Sequence, residues 1–153
     1  MPLIQDMLIS RIQLVFQAKS EDAERVAGDI AQAYFDYTKI ALGPSGSPLI
    51  FKGTETLMLR RMLSNIMRSR LQNPMAAQMI GNAVISYWLT PPVTTATGGV
   101  VTAIVPSLGV AKLQSTHART VSEAARSFAS ALHLMTSTVF IVEPVPLAPG
   151  TLK

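Results

Sequence analysis

Pro74 separates two long runs of helix-forming sequence, and that arrangement constrains the fold more than any other feature of the chain. The first run predicts a helix over about 55–71. Its broad apolar face carries Leu59, Met62, Leu63, Ile66 and Met67, with Leu57 and Met58 one turn earlier. The second predicts a helix over about 75–89, with Met75, Met79, Ile80, Ala83, Val84, Tyr87 and Trp88 on one side. Pro74 suits a first helical turn, where its missing N–H costs nothing. Pro91-Pro92 ends the second helix, because neither residue can extend the hydrogen-bond ladder. Thr54 to Thr90 is therefore expected to form a helical hairpin. Five of the eight Met residues and the single Trp fall in it, so the remaining elements should pack around it.

Those elements are mostly helical. Ile4, Met7, Leu8, Ile12, Val15 and Phe16 recur at helical spacing over residues 3–18. Ser20 reads as the N-cap of a second helix reaching about Leu42, with Glu21, Asp22 and Glu24 at its positive end. Gly43-Pro-Ser-Gly-Ser-Pro48 is a loop, and Leu49-Ile-Phe51 is a short strand or an apolar plug. Thr54 is the expected cap of the hairpin. Residues 90–99 form either a solvated loop or an arm lying on another subunit. Val100–Val105 and Thr136–Val142 have strand composition. A short helix over about 110–117 and a longer one over 121–134 follow. The longer helix is announced by Thr120 and Glu123, which match a capping box. Ala27-x-x-Ile-Ala-x-Ala-Tyr-x-x-x-Thr38 echoes Ala125-x-x-Phe-Ala-x-Ala-Leu-x-x-x-Thr136 at an offset of 98, which raises a duplication of helix pairs on either side of the hairpin. The expected fold is mainly α: a helical bundle around the central hairpin, with two or three short β-strands and extended arms. Residues 1–143 make one domain and 144–153 an extended Pro-rich tail.

Composition bears on function. Apolar residues make up 48% of the chain and charged residues 14%, well below the usual quarter. Either the surface is rich in Ser, Thr and Gln, or part of it is covered by neighbours. Net charge is +4, unevenly spread. Residues 1–36 carry three bases against six acids, and residues 37–120 carry eight bases against Glu55. The acidic end and basic middle could pair within a subunit or between copies, or the middle could face a polyanion. Cysteine is absent, which excludes disulfides and thiolate chemistry. Met1 to Ser10 has no basic leader region, and no run reaches the ~18 apolar residues of a membrane helix. No membrane contact is expected.

Few residues suggest chemistry. His117 and His133 are 16 apart without ligand-type neighbours at i+3 or i+4. Gly43-Pro-Ser-Gly-Ser47 fails the nucleophile-elbow pattern at its fifth position. Gly98-Gly99 lacks the Lys of a phosphate loop. No catalytic residue, metal or cofactor is expected. Arg60, Arg61, Arg68 and Arg70 are the strongest charged feature, read as a solvated helix flank, a contact with an acidic subunit, or a nucleic-acid contact. Met62, Met67, Met79, Tyr87 and Trp88 are candidate subunit-interface residues, with gap filling or core anchoring as the alternative. Val101, Ile104, Val139 and Ile141 are candidates through strand exchange, since two strands alone are marginal.

The Ala-rich helix Val121–Leu134, the strand Thr136–Val142 and the closing Pro-Val-Pro-Leu-Ala-Pro-Gly segment carry a resemblance. So does Ile85-Ser-Tyr-Trp-Leu89 before a Thr/Gly-rich arm. The arrangement is similar to small structural proteins of tailed-bacteriophage virions, in the neck or connector, tail or baseplate. That resemblance implies a non-enzymatic part of a virion, assembled in the host cytoplasm. Copies would form a ring, dock other virion structural proteins and make at most weak contact with DNA. A soluble helical adaptor or nucleic-acid-binding module using Arg60–Arg70 is the alternative.

Overall fold

The computed structural model describes residues 3–70, 72–144 and 150–152. Six helices follow in order: α1 Gln5–Gln17, α2 Ala23–Thr38, α3 Thr54–Ser69, α4 Asn73–Leu89, α5 Ser107–Ser115 and α6 Val121–Thr136. Each packs on the next, and α6 returns to α1, so the helices form a closed circuit. The fold is mainly α with one small antiparallel sheet. Five short strands make it: β1 Leu49–Ile50, β2 Thr94–Thr95, β3 Val100–Ala103, β4 Phe140–Val142 and β5 Gly150–Thr151, side by side in that order.

The sheet corrects the expected arms. The Thr/Gly-rich stretch 90–99 is a hairpin limb within the chain, with Ile50 opposite Thr94 and Thr94 opposite Val100. Val100 and Val101 pair in turn with Val142 and Ile141. Backbone groups near a core need partners, and segments between helices supply them locally. Strand exchange with a neighbour is therefore not required by these strands. The tail meets the sheet at Gly150–Thr151, against Ile141 and Phe140. Its residues 145–149 lie outside the described residues.

Local chemistry fixes the helix starts, with two shifts from expectation. Asp22, not Ser20, caps α2: its Oδ1 accepts from the Glu24 and Arg25 N–H groups at 3.0 and 3.3 Å. Gly53, not Thr54, holds the N-cap position of α3, at φ 89°, a left-handed conformation that favours glycine. The buried Glu55 carboxylate secures that start by accepting from the Lys52 and Gly53 N–H groups. At α6 the Thr120 hydroxyl accepts from Glu123 N–H at 3.1 Å, and the Glu123 carboxylate accepts from Arg119 N–H at 2.9 Å.

The offset of 98 is also visible in three dimensions. The bounds of α2 and α6 are 98 apart at both ends, and α1 and α5 end at Gln17 and Ser115. The two echoed threonines have the same role. Thr136 donates to Leu132 O at 2.7 Å and Thr38 to Phe35 O at 3.2 Å. Each hydroxyl is also hydrogen-bonded to a buried tyrosine hydroxyl: Thr136 to Tyr34 at 2.6 Å, Thr38 to Tyr87 at 2.8 Å. Trp88 Nε1 donates to the Tyr34 oxygen at 2.9 Å. A chain of hydrogen bonds thus runs through the core from α4 to α2 to α6. Burial pushes the Tyr34 phenol up to about 12 and Tyr87 well above its ordinary value.

Candidate interaction surface

The residues expected at a subunit contact divide into three groups. Tyr87, Trp88, Val139 and Ile141 are fully buried, Val101 is 1% exposed and Ile104 is 9% exposed. These six are a correction: they form the core of a single chain. Tyr87 and Trp88 stack edge-on to each other and to Tyr34 and Phe51. Val101 and Ile141 face inward from adjacent strands. Met62 and Met67 are half-buried beside the core. Met79 alone of the nine is exposed, at 37%.

The arginines lie on the α3 flank. Arg60 and Arg68 both approach Glu24 of α2, each at 3.5 Å. The acidic end and basic middle therefore pair inside one subunit at this point. Arg61 and Arg70 are exposed. Arg60 also borders an open groove of about 760 Å³ between α2 and α3, lined with it by Glu24, Asp29, Arg25, Phe35 and Leu57. Asp36 forms a second ion cluster, with Arg11 at 2.7 Å and Lys39 at 2.9 Å. Burial raises its carboxyl, but the bonds from Lys39 and Gln32 and the charges of Lys39 and Arg11 outweigh that and hold it below the usual carboxylate range.

Two other polar sites have structural explanations. Glu143, at 4% exposure, accepts from the Thr97 and Ser45 hydroxyls at 2.7 and 2.8 Å. It ties the 43–48 loop and the β2–β3 turn to the end of β4. The Thr97 bond foremost, with those from Ser45 and Ser47, lowers its carboxyl against the opposing effect of desolvation. His133 meets the Tyr37 hydroxyl through Nδ1, and desolvation lowers its pKa. His117 is exposed at a distance in sequence. Among the described residues no three His, Asp or Glu side chains gather to hold a metal ion, and no described helix is long and apolar enough to cross a membrane.

A further surface, of which the sequence motifs picked out only Met79, lies on α4, α5 and the sheet. Between Arg70 and Lys112 the chain has no Asp, Glu, Lys, Arg or His. That stretch folds into α4, β2, β3 and most of α5. Ala77, Gly81, Val84 and Trp88 line the inner side of α4. Met75 and Met79 therefore point away from the core, at 59% and 37% exposure. Leu108 on α5 is 65% exposed and Val105 just before it is 57%. Gln78, Ile85, Pro106, Ala111 and Gln114 line an uncharged groove of about 480 Å³ between the two helices. The sheet's outer side is also apolar: Ile50, Val100, Phe140 and Val142 are 36–48% exposed. Large exposed apolar areas without charge mark surfaces that bind other surfaces. The signal was in the sequence as an absence, the long gap between ionisable side chains. No family model, curated protein or solved structure matches the chain.

Proposed function

We propose that this protein is a non-enzymatic structural part that assembles with copies of itself, of the kind found in the tail, neck or baseplate of a tailed-phage virion. The observation that carries the self-assembly reading is the uncharged surface of α4, α5 and the outer sheet, with Met75, Leu108, Val105 and Phe140 open to solvent. Apolar area of this kind is stabilised by about 25 cal/mol per Å² when covered. The virion setting rests on the resemblance described above. A closed helix circuit with a hydrogen-bonded aromatic core supplies a stiff body, which suits a part that holds shape in a particle.

Assembly in this reading works by surfaces meeting, since the strands already pair within the chain. A ring arises when one patch meets a different patch on the next copy and the rotation closes. The nucleic-acid alternative has less support, because Arg60 and Arg68 share Glu24. A DNA contact would rest on Arg61 and Arg70.

Native mass spectrometry across about 1–100 μM tests the reading, a range that brackets weak interfaces. Species larger than a dimer are expected. A monomer at every concentration would remove the proposal.

A further inference from the structure

Among the described residues the sheet is covered on one side only. Leu49, Thr95, Val101 and Ile141 turn inward, and Ile50, Thr94, Val100 and Val142 turn outward as one row across four strands. A sheet with one face in water normally alternates apolar and polar residues. β4 does not: Phe140, Ile141 and Val142 are all apolar, the pattern of a strand covered on both faces. Among the described residues nothing forms a layer over this face.

The same chain has an uncovered layer of the matching type. The outer side of α4 and α5 shows Met75, Gln78, Met79, Leu108, Ala111 and Gln114, with no charge until Lys112 near the end of α5. Every other helix carries exposed acids or bases: Asp6 and Arg11 on α1, Glu24 and Asp29 on α2, Arg61 on α3, Glu123 and Arg126 on α6. Any of these pressed on the sheet's open face would lose hydration without gaining a partner. Dimensions also agree. Five strands span about 19 Å at the usual strand spacing. Two packed helices span about 18–20 Å.

We propose that α4 and α5 of one copy sit on the open face of the sheet of the next copy. Helix-on-sheet layering then completes each subunit's missing layer with its neighbour's helices. The contact joins two different patches, so it repeats head to tail and forms a ring or a filament. It rests on the self-assembly reading above and specifies which surfaces meet.

The absence of cysteine permits a clean test. Two double variants, Met79→Cys with Val142→Cys and Leu108→Cys with Ile50→Cys, are treated with a short bismaleimide beside the four single variants. A ladder of covalent multimers from the double variants, with the singles remaining monomeric on denaturing gels, is expected. Cross-linked dimers from single variants would show like meeting like and overturn the proposal, as would unlinked double variants in a sample that native mass spectrometry shows to be oligomeric. In those two cases self-assembly itself survives. A monomeric wild type would overturn both. As a second arm, Val142→Asp and Met79→Asp each change one exposed position. Each should weaken assembly at least tenfold while the circular-dichroism melt stays close to wild type. An intact oligomer carrying either substitution would also reject the contact.

Discussion

The α2–α3 pair and the α4–α5 pair have similar sequence length but are held together differently. Between α2 and α3 lies a ledge of ions: Glu24 faces Arg60 and Arg68, and Gly28 lies under the flexible Arg60 side chain. Between α4 and α5 there are no charges, and backbones approach closely. A Cβ on Gly81 would lie 2.6 Å from Val110 Cγ2. On the far side of α5, a Cβ on Gly109 would lie 2.5 Å from the Ala131 carbonyl oxygen and would overlap Met135. The first pair has a solvated seam that long side chains can readjust. The second is packed tightly inside and apolar outside. Low charge here therefore marks both tight internal packing and a surface suited to being covered.

The largest expected effect breaks this contrast at its tightest point. Gly109→Ala places a methyl group against a backbone carbonyl that cannot swing aside. Overpacking of that kind costs about 3 kcal/mol or more, and α5 should separate from α6. Gly28→Ala is the matched control, since its new Cβ meets Arg60 Nε at 3.3 Å. Arg60 can move, and alanine's helix propensity offsets the crowding, so stability should stay within about 1 kcal/mol of wild type. Urea denaturation of both variants checks the pair. Equal losses would mean that the packing around α5 and the α2–α3 seam are not different in kind.

The helices were largely legible in the sequence, and the orientation of α4 was not. Thr120 with Glu123 predicted the start of α6, and Pro74 and Pro91-Pro92 bracket α4 within a residue or two. Met75 and Met79 fell on the same broad apolar side as Ala83, Val84, Tyr87 and Trp88, and the spacing does not say which part of that side faces the core. The inner side of α4 belongs instead to Ala77 and Gly81, whose small size lets α5 approach. A helix apolar on most sides carries little directional signal. Two-residue strands such as Thr94–Thr95 are too short to show alternation. Tyr87 and Trp88 were ambiguous for a different reason: large amphipathic side chains serve cores and interfaces alike.

An intermediate effect comes from the core network that links α4, α2 and α6. Tyr34→Phe leaves Trp88 Nε1 without an acceptor in a fully buried position. The cost should be about 2–3 kcal/mol, a melting-temperature drop of roughly 5–10 °C. The same phenols set an alkaline limit. Folding raises Tyr34 from 10.0 to about 12 and raises Tyr37 and Tyr87 as well. A group raised by folding contributes stability that is complete below its unfolded value and lost as pH climbs to its folded one. Stability should therefore fall between pH 10 and about 12, with tyrosinate absorbance and helix loss rising together. At the other end, His133 is lowered by desolvation, so its contribution is present above its unfolded value of 6.5 and is lost as pH falls below it. Tyrosines titrating well before helix loss would show that the network is open to solvent.

The smallest effect is expected where the charges are most conspicuous. Glu24→Gln removes the carboxylate that two arginines share, and a count of ion pairs would rank it high. The geometry ranks it low. Both pairs are at 3.5 Å, the Glu24 side chain is 57% exposed, and the two arginine side chains are 45% and 59% exposed. Water screens such pairs, and ordering the long side chains offsets much of the attraction, so the loss should stay below about 1 kcal/mol. It should shrink further in high salt, where the screening length falls to a few ångströms. Arg60 and Arg68 would also be freed, so any polyanion affinity of this flank should rise, which titration with a short DNA duplex at low salt would reveal. A large stability loss that persists in high salt would mean that the α2–α3 seam is as tightly specified as the α4–α5 seam. In that case charge content would no longer distinguish the solvated side of this molecule from the side proposed to be covered.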